Sequence, residues 1–221
     1  MKKTRKILLM AACAVLLVCI SVGATVAYLT STDQVVNTFT VGQVAITLDE
    51  AKVDMYGDAV TSAARTDENT YKLIPGHKYT KDPTVHFAAG SEASYLFVKV
   101  ENDIADIEDV YPYAEGESGT ITQQIIANEW TSLNGYTDIY YKKVEANTTT
   151  NNRDYPVFAG FKVKGDAAVE AFAPSVSTDP DGESVDVPKK VTVTAYAVQA
   201  DGFDTAEAAW TATFGAPSTT P

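Results

Sequence analysis

The chain has 221 residues, with 17 Lys and Arg against 29 Asp and Glu, a formal charge of −12. That balance speaks against nucleic acid or anionic lipid as partners and favours solubility, divalent cations and polycations. Both cysteines, Cys13 and Cys19, fall in the first twenty residues, so the rest of the chain has no disulfide, thiol nucleophile or thiolate-held metal.

Lys2, Lys3, Arg5 and Lys6 precede an uncharged apolar run, Ile7 to Ile20, that is too short to span a bilayer comfortably. Small residues follow: Gly23, Ala24, Thr25 and Ala27. This is the pattern of an export signal, with Thr25 and Ala27 at the positions a signal peptidase reads and Tyr28 as the new N-terminus. Neither cysteine makes a lipobox, because Val18 precedes Cys19 and too few apolar residues precede Cys13. Cleavage after Ala27 removes four basic residues and no acidic ones. The remaining 194 residues then carry thirteen basic against 29 acidic groups, a formal charge of −16.

Beyond the leader the texture is that of β-structure: Tyr, Thr and Val abound, and turn signals recur between short apolar runs. Val35 to Asp49 reads as a long strand. Its apolar parity passes from Val35, Phe39 and Val41 to Val44, Ile46 and Leu48, which implies a bulge beside Gly42. Residues 51–69 read as a polar hairpin excursion or loop, Leu73 to Gly76 as a turn, Thr84 to Phe87 as a short strand and Ala88 to Ser91 as another turn. Ser94 to Val100 is the best core strand, with Leu96, Val98 and Val100 on one face and Tyr95 and Phe97 on the other. Thr120 and Gln123 form a capping box for a short helix to Trp130, lined by Ile121, Ile125 and Ile126, although a strand is the alternative there. Asp138 to Val144 and Val157 to Val163 are expected strands joined by a polar loop, 146–154. Residues 174–189 read as a surface loop and Val191 to Gln199 as the last strand. Asp204 is expected to cap a helix in which Phe203 and Trp210 plug one end of the fold.

Many short strands and few helices predict an all-β, jelly-roll-like antiparallel sandwich with one or two short helices, preceded by an N-terminal signal helix. The expected divisions are a signal peptide over 1–27, one domain over 28–214 and a flexible tail over 215–221.

The junction Thr25-Val26-Ala27-Tyr28-Leu29-Thr30-Ser31, followed by Asn37-Thr38-Phe39-Thr40-Val41-Gly42, resembles the N-terminus of the TasA/camelysin (CalY) family. There the junction reads roughly T-x-A-Y-F-T-D, with N-T-F-x-x-G further on. Leu29 stands where an aromatic residue is usual, and Ser31 where Asp is usual. Residues 74–102, with a Pro-Gly turn and a strand ending in Val98-Lys99-Val100, extend the resemblance, as do 191–212. It implies a jelly-roll fold, processing by a SipW-type signal peptidase, and a secreted surface or matrix protein that forms fibres.

Little supports catalysis. There is no G-x-S-x-G and no H-E-x-x-H, although camelysin-like proteins have been classed as metallopeptidases. His77 follows a turn and His86 lies in a strand; both read as ordinary turn or sheet residues. No enzyme activity and no cofactor are expected. Asp179, Asp181 and Glu183 partly imitate a calcium loop, and Asp103, Asp106, Glu108 and Asp109 form a second acidic group; solvated turns explain both more simply. Asn147-Thr148-Thr149 is a formal glycosylation acceptor. Tyr136, Tyr140 and Tyr141 suggest a sugar-stacking platform, though cross-strand packing is the commoner reason for such tyrosines.

The leading expectation is a secreted or cell-surface fibre subunit. Tyr28 to about Thr38 would be a donor strand, with Leu29, Val35 and Phe39 on one parity entering a neighbouring subunit. An edge strand within its own subunit carries nearly equal weight. The competing class is a monomeric sandwich that binds carbohydrate or calcium, and the third and weakest is a secreted camelysin-like metallopeptidase. Partners are a signal peptidase and further copies of the chain; the membrane is met only through the leader before cleavage.

Overall fold

The computed structural model describes residues 43–178 and 184–216. The signal helix, the cleavage residues Thr25, Ala27 and Tyr28, the donor residues Leu29, Val35 and Phe39, and the bulge at Gly42 lie outside the described residues. So do Asp179, Asp181 and Glu183 and the final residues of the tail.

The described chain is all-β, and every strand pair in it is antiparallel. One sheet joins β1 (Ile46–Asp49), β3 (Thr84–Phe87) and β10 (Arg153–Pro156) in the order β1-β3-β10. Opposite it stands a sheet of β14 (Val191–Gln199), β4 (Ser94–Asn102), β9 (Ile139–Val144) and β8 (Thr131–Ser132), ordered β14-β4-β9-β8. A third sheet, of β2 (Lys78–Thr80), β11 (Gly160–Val163) and β5 (Glu108–Asp109), has the order β2-β11-β5. Two hairpins, β6 (Tyr111–Ala114) with β7 (Glu117–Gly119) and β12 (Ser175–Thr178) with β13 (Ser184–Val187), stand apart from these sheets.

Alternation in β4 creates two cores, because successive side chains leave a strand on opposite faces. Leu96, Val98 and Val100 join Val85, Phe87, Tyr140, Val144, Phe161 and Trp130 in the main core. Tyr95 and Phe97 face the other way. There they meet Leu133, Ile139, Ala209 and Trp210 under the helix α2 (Ala206–Phe214). Phe203 and Trp210 therefore help cover a sheet face rather than plug an end. The cap of α2 is Thr205, whose hydroxyl accepts from the Ala208 amide at 3.1 Å, one residue after the expected Asp204.

The helix α1 (Ile121–Ala127) opens on the expected capping box of Thr120 and Gln123. It ends earlier than anticipated, and its buried side is Ile121, Gln124 and Ile125; Ile126 is exposed. At 3.6 residues per turn, positions i, i+3 and i+4 share a face, whereas adjacent Ile125 and Ile126 diverge. The buried Gln124 also explains why 157–163 is not one strand. Its Oε1 accepts from Ala159 N at 2.9 Å, and its Nε2 donates to Gly160 O at 2.8 Å and Gly119 O at 3.1 Å. The amide occupies backbone groups that a continuous strand would pair, so β10 and β11 separate into different sheets. Residues 174–189, expected as loop, carry the β12–β13 hairpin.

Candidate functional site

A cleft of about 650 Å³ opens beside β1 and β14. Each is the end strand of its sheet, and among the described residues the outer edge of each lacks a strand partner. The cleft has apolar walls of Leu48, Tyr71, Leu73, Ile104, Phe161 and Val193. The inward-facing residues here, Val44, Ile46 and Leu48 with Val191, Val193, Ala195 and Ala197, pack on the main core but remain only half-buried. Those of the central strands β3 and β4 are buried. Edge position accounts for the difference.

One wall of the cleft is polar, and its charged pair is largely shielded. Glu50 follows β1, and its backbone exchanges hydrogen bonds with Thr66 at 2.7 and 2.8 Å, drawing the segment 66–71 alongside. Its Oε2 accepts from Lys81 Nζ at 2.6 Å and its Oε1 from Asn69 Nδ2 at 2.9 Å. The pair is shielded, with side-chain exposures of 5 % for Glu50 and 12 % for Lys81. Asn69 Nδ2 also donates to Ala51 O, and Asn69 Oδ1 accepts from Val53 N at 3.1 Å. Tyr71 closes the wall, with its ring edge-on to Tyr79 and Phe161. Burial first, and then the negative charge of Glu50 and Asp82, pushes its hydroxyl pKa well above the usual value. Sequence reasoning missed Glu50, Asn69 and Lys81. They lie up to 31 positions apart, and the only local signal is an acidic pair, Asp49-Glu50, at a strand end.

A second polar network lies on the outside of the β1-β3-β10 sheet. His86 Nε2 bonds Asp49 Oδ1 at 2.9 Å and His86 Nδ1 bonds Asp154 Oδ1 at 2.6 Å, so the ring ties the two outer strands across the middle one. Arg65 pairs with Asp49 and with Asp82, and also reaches Thr84 Oγ1. Burial disfavours the imidazolium, but hydrogen bonds to both carboxylates and their charge outweigh it, so the His86 pKa is raised. For Asp49 burial likewise opposes ionisation, and Arg65 and His86 prevail to lower its pKa.

The signs of these shifts fix a pH window. A raised histidine pKa contributes stability that is complete below the unfolded value of 6.5 and disappears as pH rises through the folded value. A lowered Asp49 pKa contributes stability that is complete above the unfolded value of 3.8 and disappears as pH falls through the folded one. The network is therefore strongest between those two unfolded values. Denaturant midpoints measured across this range should fall from mildly acidic to mildly alkaline pH, and His86→Gln should flatten that alkaline decline. An equal decline in His86→Gln would show that another group governs it.

The remaining candidates are dispersed. His77 Nε2 bonds Tyr56 O at 2.8 Å, so the two histidines serve different local structures. The acidic group 103–109 is not a shared cluster. Glu108 is buried, accepting from Ile121 N and from Asn102 Nδ2; burial raises its pKa against the pull of those bonds. Asp109 pairs with Lys162 and Asp106 with Lys189. Among the described residues, no group of three or more His, Cys, Asp or Glu is arranged to hold a metal. Asn147 is buried and bonds Phe87 O and Asn151 O, so as folded it is a loop organiser rather than an accessible glycosylation acceptor. Tyr140 lies in the main core, while Tyr136 and Tyr141 pack on the opposite side of the sheet, so the three form no common platform.

No protein-family model, curated protein or solved structure matches this chain.

Proposed function

We infer that the protein is a secreted, non-enzymatic structural subunit of cell-surface or extracellular-matrix fibres, of the TasA/camelysin kind and jelly-roll topology, processed by a SipW-type peptidase after Ala27. In this reading subunits join by donation of Tyr28 to about Thr38 into the cleft beside β1 and β14 of the next copy. The supporting observation is the cleft itself: two open strand edges flank half-buried apolar side chains, the surroundings an added strand requires. Leu29, Val35 and Phe39 supply apolar residues of one parity, and the stretch contains no Pro or Gly to interrupt pairing. Burying three or four such side chains contributes roughly 5–10 kcal/mol before association costs of similar size. The contact is head-to-tail, so it need not close and propagates as a filament.

Removing residues 28–37 from the mature protein tests this. The expected product is a folded monomer that forms no fibres by electron microscopy, caps fibre ends by accepting a free donor strand, and loses that capping when a peptide spanning 28–38 fills its cleft. Fibres unchanged by the truncation, or unfolding of the truncated monomer, would refute donation. A full-length mature protein that stays monomeric would favour a binding module instead.

A further inference from the structure

Glu50 does more than neutralise Lys81. Its carboxylate bridges an amine and a carboxamide: Oε2 holds Lys81 Nζ at 2.6 Å, and Oε1 holds Asn69 Nδ2 at 2.9 Å. The carbonyl oxygen of that carboxamide receives the Val53 N–H at 3.1 Å. A nucleophile, a proton carrier, an electrophile and a donor for the developing oxyanion thus lie together. The Glu50 and Lys81 side chains are largely shielded, yet with Asn69 they line the open cleft beside Tyr71, Leu73 and Phe161, which gives a small leaving group an exit. A salt bridge alone needs neither the Asn69 contact to the same carboxylate nor the backbone donor on Asn69 Oδ1.

We propose that this wall is a self-modification site at which Lys81 and Asn69 join in an intramolecular amide, with Glu50 as catalytic residue. Glu50 accepts a proton from the Lys81 ammonium, and the freed lone pair forms a bond from Nζ to Asn69 Cγ. The carbonyl electron pair moves to Oδ1, against the Val53 N–H. Collapse of this centre restores the carbonyl and breaks the Cγ–Nδ2 bond. Glu50 passes two protons in all from Nζ to Nδ2, and the nitrogen departs as ammonium. Reactants are one alkylammonium and one primary amide; products are one secondary amide and one ammonium ion. No oxidant, metal or cofactor enters the balance, and Glu50 ends as it began. Fixing both reactants on one folded scaffold replaces an improbable encounter with an internal one. The bond pins the segment 66–71 to the end of β2, beside the cleft. The proposal is independent of the fibre reading.

The test is the intact mass of the purified, denatured protein. The expected mass is below the sequence mass by one ammonia, with a branched peptide after digestion that joins Lys81 to Asn69. Lys81→Arg keeps the cation beside Glu50 but cannot lose a proton readily to attack, so it should show its full sequence mass, as should Glu50→Gln. Protein unfolded from the start should keep the full mass and lose ammonia only after refolding. A folded wild-type protein at full sequence mass overturns the proposal even if either variant fails to fold. So does an ammonia loss that persists in Lys81→Arg, since that loss comes from elsewhere.

Discussion

Replacing Gln124 by leucine is expected to lower the stability of the domain by about 3–6 kcal/mol, because three backbone groups lose their hydrogen-bond partner and an unpaired buried polar group costs about 1–3 kcal/mol. Those groups are Gly119 O, Gly160 O and Ala159 N. Leucine fits the volume and the apolar surroundings, so the loss isolates hydrogen bonding from packing. Gln124→Glu keeps an acceptor for Ala159 but sets a carboxylate against two carbonyls, and should be no better tolerated near neutral pH. Gly160→Ala attacks the same junction sterically, since a Cβ there would sit 2.4 Å from Tyr79 O and 2.6 Å from the Tyr111 ring. Urea titration of Gln124→Leu should show a lower midpoint with an unchanged slope. A loss under about 1 kcal/mol would mean that water takes over the three groups.

Trp210→Ala should cost about 3–5 kcal/mol, the usual range for deleting a buried large aromatic side chain. Its ring lies 5.1 Å from Phe97, 5.4 Å from Tyr196, 5.9 Å from Tyr136 and 4.5 Å from Phe214 between centroids. It is the main anchor of α2 on the outer face of the β14-β4-β9-β8 sheet. Without it, Phe97 and Tyr196 lose their cover, and the variant should bind a hydrophobic dye and self-associate. Trp130 then remains as the single tryptophan, buried in the main core with Nε1 donating to Pro156 O at 2.9 Å. Its emission should stay that of a buried indole in the folded variant. A red-shifted Trp130 signal would show that the two cores unfold together and that α2 supports both.

Trp130 and Trp210 also illustrate what a linear reading can and cannot reach. Trp130 follows α1 and Trp210 lies in α2, and both are buried, but the surface that each covers is set by partners distant in sequence. The strands β3, β4, β9 and β14 were legible because alternation of apolar and polar residues needs only neighbours. The capping box of α1 was legible for the same reason. The break at 157–159 was not: the alternating apolar text there matches a strand, and Gln124, 35 positions away, overrides it. Gln124 itself looks solvent-facing in sequence, since a glutamine is ordinarily exposed unless satisfied. The hairpin β12–β13 was hidden by a Pro- and Asp-rich composition that resembles loop.

The sequence by itself determined the antiparallel β class, the two-faced character of β4, the start of α1 and the acidic balance, for each is written in local periodicity, caps or charge. Only the tertiary structure decided which strand edges flank the cleft, that His86 bridges Asp49 and Asp154, and that Glu50 stands between Lys81 and Asn69. These depend on strand order and on contacts between residues tens of positions apart. No local pattern encodes such contacts, because they arise only once the sheets stack and burial forces each polar group to find a partner.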